Sequence, residues 1–366
     1  MTRKNDKPLR KHTQLWTAYN KAQVEEKQQF LLLLRSLCQT VVEQKQIKGR
    51  RRLPLGDMIY AATFKVYSTF SSRRFMTDLR DAHNKGFIEQ VPHFNTVSRY
   101  LRMKALTPIL TDMIEASSLP LKGLETDFAV DSTGLSTDRY ARWIDEREGR
   151  ERSLRTWLKL HLICGRVTNI VTSVIVTPSN VGDSRQFKPL VENTARRFTI
   201  SEVSADAAYL SGDNMRLVLT KGALPYIAFR SNSTAYGAAK STFYKRMLYL
   251  FKSRKPEFTE HYYKRNNVET TFFMIKSKFG SRLRSTSRTA QFNEALCKVL
   301  CHNLCVLIQS RYEFGLDPAF SARGDTESHA AHPEPIANGR ISVSPVSETD
   351  EGKEESPDQN QQRLFE

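Results

Sequence analysis

Three apolar segments in succession constrain this chain most. Residues 127–134 (DFAVDSTG), 157–164 (WLKLHLIC) and 170–177 (IVTSVIVT) alternate or are β-branched, so each is predicted to be a strand. A polar stretch with Asn180 and Asp183 then leads into a predicted helix from Ser184. A strand at 201–206, a helix at 213–221 and a strand at 225–229 are expected next, with helices closing the region from Tyr262 onward. Three strands followed by alternating helix and strand call for one mixed sheet with helices packed on it. That order places the chain in the α/β (α+β) class.

The residues before Gly123 read differently. Residues 18–42 have helix-favouring Glu, Gln, Lys and Leu until the run KQIKGRRR breaks them, and 55–67 and 75–83 carry apolar residues at helical spacing. Residues 92–106 predict one helix entered through Pro92, with Asn95 or Thr96 as its cap. Short helices carrying Arg99, Arg102 and Lys104 suit a helix-turn-helix DNA reader, and equally an ordinary bundle with solvated charges. With 366 residues the chain has about two domains' worth of sequence. The expected division is a helical DNA-binding region at 1–120, a catalytic domain at 121–315 and a disordered acidic tail at 316–366.

Charge narrows the partner. The formal net charge is +17, yet residues 325–366 hold ten acidic and three basic side chains, leaving +24 on residues 1–324. The tail is rich in Pro, Ser, Glu and Gln and cannot bury enough surface to offset its ordering entropy. A strongly basic folded part points to nucleic acid or an anionic membrane surface. The longest apolar run, 30–34, stops at Arg35, far short of a spanning helix, and the basic N-terminus has no apolar stretch behind it. Five scattered Cys make no disulfide framework. A cytoplasmic protein with no membrane partner is expected, and nucleic acid is the leading ligand.

Carboxylates at strand ends supply candidate chemistry. Asp131 ends the apolar segment FAV and meets the turn-forming STG, and Asp206 follows EVSA and precedes AAYLSGDN. Either alone is an ordinary turn residue. Together with a third carboxylate they suit divalent metals such as Mg²⁺, or Mn²⁺ as a substitute, in phosphodiester chemistry. Residues 262–276 read YYKRNNVETTFFMIK, and on a single helix Tyr262, Arg265, Glu269 and Lys276 fall on one stripe. Such a stripe offers a carboxylate for metal and two cations for phosphates.

The spacing Y-x2-R-x3-E-x6-K resembles the signature of a large group of bacterial insertion-sequence DDE transposases, and VDSTG and SADAAY resemble the group's first and second Asp motifs, in order. The strand order also resembles a ribonuclease-H-like core. The resemblance covers roughly residues 92–309. It implies that Asp131, Asp206 and Glu269 bind the catalytic metals and that Tyr262, Arg265 and Lys276 contact DNA phosphates near the cleaved end. It further implies binding of double-stranded DNA at the element's terminal inverted repeats, cleavage there and joining of 3′ ends to target DNA. A homodimer that pairs two ends and a nucleoid-associated location belong to the same expectation. Only 62 residues separate Asp206 from Glu269, little room for the β-rich insertion of some relatives that cleave through a hairpin. The rivals are a nuclease or resolvase on the same fold without strand transfer, and a non-catalytic DNA binder derived from a transposase.

Weaker signals have blander readings. Asp127 shares strand parity with Asp131 but suits the start of a strand, and Asp183 suits a helix N-cap. Cys297, Cys301 and Cys305 recur at four-residue steps beside His302 among Leu and Val, which describes a core helix better than a zinc site. Lys252, Lys255 and the segment SKFGSRLRSTSR add cations that suit phosphate tracking. Trp143, Trp157 and Tyr209 are candidates for stacking on a flipped base, with core packing favoured for Trp157.

Overall fold

The computed structural model of the chain describes residues 15–43, 49, 52–137, 147, 157–236 and 241–320, all within the compact unit Met1–Gly324. Trp143 and the tail from 321 lie outside the described residues. The three expected strands form in succession as β1 (Asp127–Ser136), β2 (Trp157–Gly165) and β3 (Val171–Pro178). Two shorter ones follow, β4 (Glu202–Ala205) and β5 (Leu224–Ile227). They form one mixed sheet ordered β3-β2-β1-β4-β5. β1, β2 and β3 pair antiparallel, whereas β1 with β4 and β4 with β5 pair parallel. Helix α6 (Ser184–Ala195) precedes β4, and α7 (Gly212–Thr220) supplies the crossover that the parallel pair β4 and β5 requires.

Strand alternation divides the core between the two faces of the sheet. On one face, Phe128 and Val130 pack with Phe187, Leu190 and Val191 of α6. Ala129 and Leu135 point the other way, into a core shared with helices from both ends of the unit. Those helices are α1 (Trp16–Gln39), α2 (Leu55–Ser68), α3 (Phe75–Asn84), α4 (Phe94–Leu101) and α5 (Leu106–Ser118) on the N-terminal side. On the C-terminal side, α8 (Thr242–Ser253) and α9 (Lys255–Tyr262) pack on the first face with Phe128 and Val130, whereas α10 (Asn266–Phe279) and α11 (Arg288–Phe314) join the shared core.

Helix α11 joins the two groups, packing on α1, α2, α4, α5 and β3. Its start is capped by the Ser287 hydroxyl, which accepts from the Ala290 amide, and it ends at Gly315 in the left-handed region, φ 68°. Cys297 and Cys301 are buried with Leu300 and Leu304, as expected of a core helix, and burial pushes both thiols up. His302 is equally buried and donates Nε2–H to the Asn169 carbonyl at 2.9 Å.

Several expectations change. Residues 92–106 are not one helix: α4 stops at Leu101 and α5 starts afresh at Leu106. Pro108 explains the break, because it fits the first turn of a new helix but not the interior of one running on from Asn95. The cap of α4 is His93, whose Nδ1 accepts from the Asn95 amide at 3.3 Å, so neither Asn95 nor Thr96 fills that role. Helices α5, α8 and α9 were not anticipated. The packed chain also runs past 315, since Leu316 and Phe320 lie against the core. No described helix is long and apolar enough to cross a membrane.

Candidate active site

The centre of the site follows from strand register. Val130 of β1 pairs with Ala205 of β4, the last matched pair of two parallel strands. Asp131 and Asp206 are therefore the next residues on neighbouring strands running the same way, and their carboxyls share one end of that strand pair. Asp131 lies within the longer β1 and has a side chain only 15% exposed. Asp206 ends its strand, and its Oδ1 accepts from the Ala208 amide at 2.6 Å, capping a short 3-10 turn, Ala207–Tyr209. It is thus also the turn residue that its sequence context suggests.

Glu269 arrives on α10. The chain from Lys255 to Phe279 is helical throughout but not one α-helix: α9 ends at Tyr262, a 3-10 turn covers Tyr263–Arg265 and α10 starts at Asn266. The single stripe expected of Tyr262, Arg265, Glu269 and Lys276 is therefore corrected. The tighter turn rotates Tyr262 relative to the rest. Lys264 fastens the turn to the sheet, its Nζ donating to Asp127 on β1 at 2.7 Å and to Glu202 on β4 at 2.5 Å. Asp127, also paired with Arg166 at 3.6 Å, is thereby a strand-start anchor outside the site. From α10, Val268, Phe272 and Ile275 enter the core, which leaves Glu269 56% exposed on the outer side.

Arg265 holds the arrangement together. One guanidinium nitrogen donates to Asp131 Oδ2 at 2.9 Å and another to Glu269 Oε1 at 2.8 Å. Burial opposes its charge, but Asp131 above all, then Tyr262, Glu269 and Asp206, outweigh that and raise its pKa. Its Nε–H is buried with no hydrogen-bond partner among the described residues. Burial pushes the Asp131 carboxyl above its ordinary range; the Ser132 amide and Arg265 pull it down, and Asp206 adds to the rise. Tyr262 stands in the same field, its hydroxyl raised by burial and then, against Arg265, by Asp206, Asp131 and Glu269. Lys276 reaches β1 two residues on, donating to Thr133 Oγ1 at 2.6 Å.

The structure therefore gathers Asp131, Asp206, Glu269, Tyr262 and Arg265, with Lys276 along the same face of β1. Arg99 and Arg102 are exposed on and just after α4, apart from this group. Among the described residues no three Asp, Glu, His or Cys side chains stand close enough together to hold a metal ion. The carboxylates surround Arg265 rather than a shared point.

Sequence reasoning missed a supporting network. Asp183 sits at the N-cap position of α6, but its side chain caps nothing. Its Oδ1 instead accepts from Ser132 Oγ at 3.1 Å and Lys159 Nζ at 3.0 Å, so the residue beside Asp131 is tied to the β3–α6 connection. His161 lies 3.6 Å away and is fully buried, which lowers its pKa to about 4. The neighbouring turn residues Asn180 and Asp183 were the sequence signal, read as loop chemistry. Tyr209 is 1% exposed, packed on Phe187, and cannot stack on a base. Trp157 is not a core residue either: it is 43% exposed, and its ring covers Gly134, where a Cβ would meet it at 3.3 Å.

The model of the family described as transposase DDE domain matches residues 122–304, half of this chain, and the chain belongs to that family. Among solved structures, it is similar to a piggyBac transposase synaptic complex with hairpin DNA, determined by cryo-EM. The TM-score is 0.40 at 12% identity, covering 78% of this chain and 76% of that one.

Proposed function

We propose that this chain is a DNA transposase that binds the ends of its own element, cleaves them and joins the 3′ ends to target DNA. The observation that carries the reading is the register of β1 and β4, which sets Asp131 beside Asp206, while Arg265 links Asp131 to Glu269 on α10. The sheet order β3-β2-β1-β4-β5, with only β2 running against the other four strands, is read as ribonuclease-H-like.

The donor set fits the divalent metal that such chemistry uses. All three groups are hard carboxylate oxygens, suited to Mg²⁺ or Mn²⁺, and the Arg265 guanidinium already acts as a cation between two of them. Asp131, Asp206 and Glu269 would hold the ions, and a metal bound there would supply Lewis-acid polarisation of the phosphodiester and charge stabilisation at the leaving oxygen. The protein's own part is electrostatic and positional. Arg265, with an unused buried N–H, and Lys276 would grip non-bridging phosphate oxygens, and Tyr262 would pack against the strand beside them. The partner is double-stranded DNA, read through Arg99, Arg102 and the helices of residues 1–120, with a homodimer pairing two ends. Residues 121–315 form the catalytic domain in this reading.

Strand transfer separates a transposase from a nuclease or resolvase of similar architecture. Purified full-length chain given pre-cleaved element ends, a supercoiled plasmid and Mg²⁺ is expected to yield plasmids with covalently joined ends, scored by gel and junction sequencing. Nicked or linear plasmid with no joined product would favour the nuclease.

A further inference from the structure

A broad groove on the described surface lies away from the carboxylates. It encloses about 950 Å³ between α2, α4, the segment after α10 and the first half of α11. Five cations line it from separate parts of the chain: Lys65 and Arg102 from the N-terminal helices, Arg282 and Arg284 from the segment 280–286, and Lys298 from α11. The segment is held rigidly from below. Lys298 of α11 is buried and donates to the carbonyls of Gly280 at 2.6 Å and Arg282 at 2.8 Å. Glu294, also buried, accepts from the amides of Arg284 at 2.8 Å and Ser285 at 2.7 Å. The one acidic lining side chain is thus spent on backbone, Lys65 and Arg284 both donate to the Phe70 carbonyl, at 2.6 and 3.2 Å, and the Arg282 and Arg284 side chains are exposed.

The groove is also in line with the carboxylates. Segment 281–283 pairs with the last residue of β1, Ser136 accepting from the Leu283 amide at 2.8 Å and donating to the Ser281 carbonyl at 3.0 Å. Asp131 lies on that same strand, five residues back, which is about 17 Å along an extended chain. Lys276, bonded to Thr133, stands between them. At roughly 3.4 Å per nucleotide step, that span corresponds to about five nucleotides of duplex. Like charge is crowded here: burial and then the Arg284 guanidinium press the Lys65 ammonium below its ordinary range. An anion entering the groove relieves that crowding.

We propose that the groove bounded by Arg102, Arg282, Arg284 and Lys65 binds the phosphodiester backbone of duplex DNA about five nucleotides from the phosphate at the Asp131–Asp206 centre. The choice of duplex as ligand rests on the function proposed above; the site itself does not overlap the carboxylates. Cations from an N-terminal helix end and from the segment after α10 close on one strand, so a single DNA backbone spans both parts of the chain.

The test uses full-length protein and a 40-base-pair duplex of fixed sequence, with the dissociation constant measured across a series of salt concentrations. Each lost phosphate contact lowers the slope of log affinity against log salt by about 0.9. Arg102→Ala with Arg282→Ala is expected to lower it by nearly two at unchanged melting temperature. The pair Lys188→Ala and Arg216→Ala, exposed cations on α6 and α7, removes the same charge elsewhere and is expected to keep the wild-type slope. A groove variant with the wild-type slope, or an equal fall in the α6–α7 control, overturns the groove. A wild-type chain that binds no duplex even at low salt overturns the groove and the DNA reading together. Lost cleavage in carboxylate variants bears only on the latter.

Discussion

At the scale of single residues, burial decides which charges are kept and which are given up. Arg265 stays charged because two carboxylates accept its hydrogen bonds, whereas His302 has only a backbone carbonyl for company. Burial lowers the His302 pKa to about 4, against about 6.5 in an unfolded chain. The neutral imidazole is therefore the folded form, and its contribution is complete above about pH 6.5. As pH falls from there toward 4 the unfolded chain binds a proton that the folded one refuses, costing about 1.4 kcal/mol per pH unit. Melting temperature measured from pH 7 to 4.5 is expected to fall more steeply for the wild type than for His302→Gln. Parallel curves would contradict the assignment. Residue types alone reveal little of this. Asp183 has the composition of a cap and instead holds Ser132 and Lys159, because the fold of β3 onto β2 brings Lys159 across to it.

At the scale of elements, α11 is the member on which the rest depends. Asn303 is fully buried and uses both its donor and its acceptor to join three elements. Its Oδ1 accepts from the Val171 amide at 3.0 Å, and its Nδ2 donates to the carbonyls of Val171 at 2.8 Å and Ile114 at 3.2 Å and to Ser117 Oγ at 2.9 Å. Asn303→Ala strands a buried amide and at least one carbonyl at about 1–3 kcal/mol each, so a loss of roughly 3 kcal/mol is expected. Urea unfolding with an unchanged slope measures it; a loss under about 1 kcal/mol would contradict the role. The element pattern from β1 to β5 was legible because alternation and β-branching are local signals. The 3-10 turn at Tyr263–Arg265 was not, since it is imposed by Lys264 reaching Asp127 and Glu202, residues far away in sequence. Helices α8 and α9 went unread because their faces mix Lys, Arg and Tyr with few apolar residues, and only Phe258, Tyr244, Met247 and Leu248 are buried.

At the scale of the whole molecule, the strong positive charge acquires a place. Cations at Arg265 and Lys276 stand at the carboxylates, and Arg102, Arg282, Arg284 and Lys65 line a groove on the same strand's far end. The placing of the two aspartates was readable from strand order, because parallel β1 and β4 bring Asp131 and Asp206 to neighbouring positions just past their last matched pair. The groove was not readable, since it needs the N-terminal helices to pack beside a segment nearly 200 residues later. Cleavage by single carboxylate variants tests the central claim most directly. On the proposed function, DNA carrying terminal inverted repeats of the element, incubated with Mg²⁺ and protein, is expected to be cut at the repeat ends by the wild type. Asp131→Ala, Asp206→Ala and Glu269→Ala should each bind those ends with wild-type affinity and lose at least a hundredfold in cleavage rate, as removal of a positioned catalytic group does. Cutting by Asp206→Ala at the wild-type rate would contradict the account.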